Sequence, residues 1–291
     1  ADPMPAFLEF ETDTMEKMAA FQFDDPWDER RFLRAGDNQL AGVGDSFARN
    51  SPAWIDMVKG LYGDFPVYGS VAEGHEMLWR IVGSPNALMW MGQYPDEVAR
   101  FVERIIAYAV ELTKAQIAAA GGLLDGMVIW GDVAYTRAML FSPAYWRRVF
   151  KPGVKAIVDV CHEHRLPVIY HGCGNLKVVL PDLIEVGVDA VNPLEAKAGL
   201  DVVELRQTYG HRLGFCGNMA VLDWAQSSRE QLEAIVLRKL NAAKGGGYIF
   251  QSDHSVPSNV SGERYEYVVK LVRERGRYPL RLEPYDVAAL G

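Results

Sequence analysis

Short apolar runs recur along the chain with stretches of helical periodicity between them, and this alternation constrains the fold more than any other feature. The strongest run is Met127-Val128-Ile129-Trp130. Further runs rich in Val, Ile and Tyr occupy residues 66–69, 167–170, 188–191, 213–216 and 248–250. Continuous apolar runs of this length are typical of strands that helices cover on both faces of a parallel sheet. The pattern therefore predicts an α/β protein.

The segments between these runs carry helix signals. In residues 96–120 apolar side chains return at intervals of three and four, and Gly121-Gly122 follows as a stop signal. Ser142-Pro143 reads as an N-cap followed by a first-turn proline, and it opens a helix to about residue 164 that Pro152 should kink. Further helices are predicted at residues 176–186, 201–209, 228–244 and 261–275.

Repeated strand–helix units imply parallel strands joined by right-handed crossovers. No Gly-x-Gly-x-x-Gly follows an early strand, so a (β/α)8 TIM barrel is favoured over an open dinucleotide-binding sheet. Six strands are recognised where a barrel needs eight, and the other two are expected in residues 1–65 or in an N-terminal part that this chain lacks. We expect residues 1–65 to form an irregular segment packed on the barrel, and residues 66–291 to form the barrel itself.

The charge balance narrows the range of partners. The chain has 30 Lys and Arg against 38 Asp and Glu, a formal net charge of −8, which argues against nucleic-acid binding. No apolar run approaches the roughly 18 residues that a membrane span needs. Three cysteines in 291 residues fit a reducing compartment, so a cytoplasmic location is expected.

Polar and chemically active residues follow each predicted strand. In a (β/α)8 barrel the active site forms at the carboxyl ends of the strands. Asp132 and Glu195 are therefore candidate catalytic acid/base groups. The candidate substrate-binding residues are Tyr135, Arg137, Asn175, Asn192, Cys216, Asn218, Gln251 and Asp253.

His171 and Cys173, one residue apart at a strand end, are the sharpest local signal. Zinc takes imidazole nitrogen and thiolate sulfur, and catalytic zinc sites keep three protein ligands with one open position. The third ligand would be His254 or Cys216 from a neighbouring strand end. The alternative is that Cys173 packs as a small buried side chain and that His171 hydrogen-bonds substrate.

Several segments together resemble the uroporphyrinogen decarboxylase superfamily. They are Gly131-Asp132, Leu140-Phe141-Ser142-Pro143, Tyr170-His171-Gly172-Cys173-Gly174-Asn175, Asp189-Ala190-Val191-Asn192-Pro193-Leu194, Gly217-Asn218, residues 245–250, Asp253-His254-Ser255-Val256-Pro257 and residues 273–279. The resemblance covers about residues 60–280 and implies a (β/α)8 barrel. It also suggests a homodimer.

The superfamily has two branches, and the resemblance is closer to its corrinoid-dependent methyltransferases. These move a methyl group between a corrinoid protein and a thiol or tetrahydrofolate-type acceptor. Their thiol-using members hold zinc with His-x-Cys and a later Cys; His171 and Cys173 match the first two ligands, and His254 stands at about the position of the third. The resemblance thus implies zinc as a cofactor and a corrinoid supplied by a partner protein.

The other branch decarboxylates uroporphyrinogen without a cofactor, using an N-terminal Arg-Gln-Ala-Gly-Arg motif. The nearest text here, Arg34-Ala35-Gly36-Asp37, lacks that motif. Two alternatives to a methyltransferase remain: a cofactor-free decarboxylase-like lyase acting on a carboxylated substrate, and a non-catalytic binding subunit of a methyltransferase complex.

Overall fold

A computed structural model describes residues 10–34 and 53–280 of the chain. The chain divides into two compact units, which are treated separately below. Unit 1 comprises residues 1–131 and 140–168, and unit 2 comprises residues 132–139 and 169–291. The segments 1–9, 35–52 and 281–291, and any expectation that falls on them, lie outside the described residues.

Unit 1 contains two strands and seven α-helices in its described part. They are α1 (Met15–Ala20), α2 (Trp54–Leu61), β1 (Tyr68–Ala72), α3 (Gly74–Val82), α4 (Ser84–Gln93), α5 (Pro95–Ala120), β2 (Gly126–Trp130), α6 (Pro143–Val149) and α7 (Lys151–Glu163). β1 and β2 pair in parallel from Tyr68↔Gly126 to Ala72↔Trp130. The long helix α5 matches the helix predicted at residues 96–120 and buries the apolar stripe that predicted it.

The helix predicted over residues 142–164 is two helices that meet at Phe150. Ser142 caps α6 by accepting a hydrogen bond from the Ala144 N–H, with Pro143 at the start of the helix. Pro152 lies in the first turn of α7. Proline lacks an N–H and fits the first turn of a helix, where that donor has no partner, so Pro152 starts a new helix instead of kinking a continuous one.

Unit 2 carries the other four described strands. Its elements are β3 (Val168–His171), α8 (Leu180–Glu185), β4 (Ala190–Asn192), α9 (Val202–Tyr209), β5 (Gly214–Met219), α10 (Val221–Gln226), α11 (Arg229–Asn241), β6 (Tyr248–Ser252) and α12 (Gly262–Arg275). β4 pairs in parallel with β3 and with β5, and β6 pairs in parallel with β5. A core of Met219, Leu232, Val236, Leu240 and Val268 lies where β5, α11 and α12 pack together.

In both units the described strands pair in parallel and alternate along the chain with helices, as expected for the predicted (β/α)8 barrel. All six predicted strands are present. No helix in the described ranges is both long and apolar enough to cross a bilayer.

Candidate functional site

The candidate site lies at the carboxyl ends of the strands of unit 2. His171 is the last residue of β3, and Cys173 follows it by two positions. Asn192 ends β4 and is the register partner of His171. Because parallel strands end at the same edge, the loops that leave β3 and β4 begin side by side.

Cys173 is held against Asp132. The Cys173 backbone N–H donates to Asp132 Oδ1 at 2.8 Å. The Cys173 Sγ lies 3.7 Å from His171 Nε2, and that nitrogen lies 3.8 Å from Asp132 Oδ1. One ligand atom from each of the three residues falls within 4.8 Å of the others, and all three side chains are half-buried. Sulfur, nitrogen and oxygen donors therefore converge on a single point.

A second set of donors shares the same sulfur. Cys173, Glu195 and His254 also bring one ligand atom each to within 4.8 Å of one another. Glu195 is only 4% exposed, whereas His254 is exposed. The Lys197 ammonium lies 3.6 Å from Glu195 Oε2. The predicted metal ligands His171, Cys173 and His254 are thus divided between two donor sets that meet at Cys173.

Burial and two neighbouring carboxylates determine the electrostatics around the thiol. Burial, together with the charges of Asp132 and Glu195, raises the pKa of Cys173 well above its ordinary value. Burial and neighbouring anions both disfavour a thiolate. A cation bound between these groups would reverse the balance, because it stabilises the thiolate and both carboxylates at once.

Cys216, the other candidate for a third ligand, lies on β5 and is 2% exposed. Burial raises the pKa of its thiol to about 12. Neither donor set found among the described residues includes it.

Asn218, predicted to bind substrate, is fully buried and binds the chain itself. Its Nδ2 donates to the carbonyls of Leu194 and Leu200, at 2.9 and 2.7 Å. Its Oδ1 accepts from the Val202 N–H at 3.0 Å and from the Lys239 ammonium at 2.6 Å. This amide therefore fixes the loop that carries Glu195, and its substrate role stays a prediction.

Asp253, also predicted to bind substrate, is likewise buried and hydrogen-bonds to backbone N–H groups. It is 2% exposed, and its two oxygens accept the backbone N–H groups of Ala196 and Val221, both at 3.0 Å. The bond to Ala196 holds the same loop from the side of β6. Asn218 and Asp253 together support Glu195 through the backbone of its loop.

The close approach of β5 to this loop requires a glycine. Gly217 has φ +102°, and an added Cβ would lie 1.8 Å from the Pro193 carbonyl oxygen. The next residue, Asn218, donates its N–H to that oxygen at 2.9 Å and has φ 70°. Asparagine tolerates this left-handed conformation better than most residues.

The remaining predicted residues lie at or near the surface. Tyr135, Arg137 and Gln251 are exposed. Asn175 is half-buried, and its Oδ1 accepts the Lys177 N–H at 3.1 Å. Their proposed contacts with substrate are not tested by the structure.

Sequence reasoning missed two buried groups in unit 1. Glu73 and His75 follow β1 directly and are 0% and 2% exposed. The His75 ring packs 4.8 Å from the ring of Phe141. The strand was predicted to end at residue 69, so its true carboxyl end was not inspected. A carboxylate and an imidazole two residues apart after a strand would have been the signal.

Comparison with known proteins matches one family and a number of solved structures, among them the two that follow. The sequence profile of the family described as uroporphyrinogen decarboxylase (URO-D) matches residues 53–275. The search of curated protein sequences gave no match. Among solved structures, a methyltransferase from Methanosarcina mazei is similar at 18% identity and a TM-score of 0.60, over 76% of this chain.

The second neighbour is a protein assigned as a vitamin-B12-independent methionine synthase from Listeria monocytogenes. It has 9% identity and a TM-score of 0.48, over 77% of this chain and 70% of its own. The chain spans 62% of the length of the Methanosarcina protein. The likeness to the Methanosarcina structure shows the fold.

Proposed function

Because this chain belongs to the uroporphyrinogen decarboxylase family, we propose that it is a methyltransferase of that superfamily. It would move a methyl group between a corrinoid protein and a thiol or tetrahydrofolate-type acceptor, assisted by zinc. The convergence of donor atoms on Cys173 carries the proposal. The methyltransferase among the structural neighbours supports the choice of branch.

The donor chemistry fits zinc. Zinc binds thiolate, imidazole and carboxylate ligands, and its catalytic sites use three protein ligands. Both donor sets on Cys173 have three members of these types. We propose His171, Cys173 and Asp132 as the three ligands, because one ligand atom from each falls within 4.8 Å of the others. Bound zinc would lower the pKa of an acceptor thiol so that it is deprotonated at neutral pH.

Residues of this chain would accept the proton that the acceptor thiol releases. A thiol acceptor must lose its S–H proton before its sulfur takes the methyl group. Glu195 is buried beside Cys173, and its Oε atoms are the acceptor that we assign to this proton. The nearby ammonium of Lys197 stabilises the Glu195 carboxylate before the proton arrives. Asp132 orients Cys173 by accepting its backbone N–H.

The charge of the site favours this reading over a decarboxylase. A substrate with many carboxylates needs cationic partners. The two donor sets on Cys173 instead contain two carboxylates and two imidazoles, and one lysine lies against Glu195. The family name is the observation that favours the alternative, a lyase acting on a carboxylated substrate without a metal.

Metal analysis and a transfer assay on matched cysteine variants test the proposal. The purified protein is expected to hold about one zinc ion and to transfer methyl groups from methylcobalamin to a small thiol. Cys173→Ala should lose both properties, while Cys216→Ala should keep its zinc because that thiol belongs to neither donor set. Full zinc content and transfer in Cys173→Ala would refute the zinc role. Metal-independent release of carbon dioxide from a carboxylated substrate would support the lyase, and binding without turnover would support a binding subunit.

A further inference from the structure

We infer that Asn192 is a positioning residue that sets the tautomer of His171 and so aims its Nε2 lone pair at Cys173 and Asp132. This assignment rests on the proposed metal site, since it concerns the nitrogen offered to the metal. The substrate contact expected of Asn192 from the sequence stays a separate prediction.

Asn192 meets His171 twice. The two residues are partners in the parallel register of β3 and β4, and the Gly172 N–H donates to the Asn192 carbonyl at 2.9 Å. The side chains meet as well, with Asn192 Oδ1 2.6 Å from His171 Nδ1. The paired strand ends therefore fix the distance at which the amide meets the ring.

The chemistry of the amide oxygen decides which ring nitrogen carries the proton. An amide oxygen accepts hydrogen bonds and cannot donate one, so Nδ1 must bear the hydrogen. A neutral imidazole then has its lone pair on Nε2. This is the nitrogen that lies 3.7 Å from Cys173 Sγ and 3.8 Å from Asp132 Oδ1. The hydrogen bond on one side of the ring thus prepares the ligand atom on the other.

The burial of the ring makes this control effective. The His171 side chain is 17% exposed, so water competes weakly for Nδ1. Partners of this kind, which bind the far nitrogen of a metal-bound histidine, typically change metal affinity by about 10- to 100-fold.

Two variants separate this role from simple packing. Asn192→Leu removes the acceptor at similar size, and Asn192→Asp keeps an oxygen that accepts from Nδ1. Zinc affinity is measured by competition with a chromogenic chelator. We expect affinity to fall about 10- to 100-fold in Asn192→Leu and to stay within about threefold of the wild type in Asn192→Asp. Circular dichroism and the thermal midpoint report whether each variant is folded.

A second readout requires neither a variant nor zinc. Long-range ¹H–¹⁵N NMR spectra of the metal-free wild-type protein report which ring nitrogen of His171 is protonated. Protonated Nδ1 and bare Nε2 support the inference, and the opposite tautomer overturns it. Unchanged zinc affinity in a folded Asn192→Leu protein would also overturn it. If the wild type binds no zinc, the proposed function loses its metal, and the NMR result still decides the role of Asn192.

Discussion

Replacing Asn218 by Ala should remove several kcal/mol of folding stability although no metal or substrate is involved. The substitution leaves two carbonyls and one N–H without their partner, at about 1 kcal/mol each. It also removes the hydrogen-bond acceptor of the buried Lys239 ammonium, which is 5% exposed and donates to Asn218 Oδ1. A left-handed backbone at φ 70° costs alanine about 1 kcal/mol more.

The expected loss is therefore about 4 kcal/mol or more, a large part of the 5–15 kcal/mol typical of a folded protein. Urea unfolding followed by circular dichroism measures it. Asn175→Ala is the matched control, since that half-buried side chain caps one N–H and should cost less than about 1 kcal/mol. Adding Lys239→Met to Asn218→Ala should recover part of the loss, because the buried ammonium is removed. A cost for Asn218→Ala below about 1 kcal/mol would refute this account of the loop.

Three further predictions follow from the same geometry. Iodoacetamide should modify Cys173 slowly in the metal-free protein at pH 8, and Asp132→Asn should speed the reaction several-fold by lowering the thiol pKa; mass spectrometry measures the rate, and an equal rate would contradict the electrostatic account. Gly217→Ala should cost about 3 kcal/mol in urea unfolding, whereas Gly246→Ala, at φ +90° in open space, should cost about 1 kcal/mol; equal costs would show that the contact with Pro193 does not matter. Burial raises the pKa of Asp201, but the hydrogen bond from Arg238 outweighs it and lowers that pKa below its ordinary value. Asp201→Asn should therefore be less stable than the wild type at pH 7, and the difference should shrink as the pH falls below about 4. A difference in stability that persists at pH 2 would argue against the ion pair.

The sign of the Asp201 effect follows from proton linkage. A carboxyl whose folded pKa is depressed contributes stability above its unfolded pKa and loses that contribution as the pH falls through the folded value. Asparagine keeps the N-cap of α9, where the Asp201 Oδ1 accepts the Val203 and Glu204 N–H groups, so the comparison isolates the charge.

Much of the fold could be predicted from the sequence, because each strand is a short apolar run that needs cover on both faces. The exception was β1, whose small residues Gly69 and Ser70 gave little strand signal. Pairing with β2 extends this strand to Ala72 regardless of propensity. Helix α3 was also missed: it spans nine residues and buries the polar His75 and Glu76 in its first turn, although Met77, Leu78, Ile81 and Val82 form an apolar stripe.

The candidate site could be located but not fully interpreted. The sequence placed Asp132, His171 and Cys173 at strand ends, and the structure brings their ligand atoms together. The sequence alone could not show that the side chains of Asn218 and Asp253 hydrogen-bond to the backbone of a neighbouring loop. That choice depends on where residues 194–202 lie, which is a tertiary property that spacing along the chain does not encode.

The support of the Glu195 loop has a consequence for how such a site diversifies. Asn218 and Asp253 hold this loop by hydrogen bonds to main-chain atoms of Leu194, Ala196, Leu200 and Val202. Every amino acid except proline carries the same main-chain donor and acceptor, so side chains at positions 195 and 197 can be exchanged while the scaffold beneath them keeps its shape. Descendants of such a protein can acquire new substrates by replacing what the loop displays, without having to invent a new way to hold it.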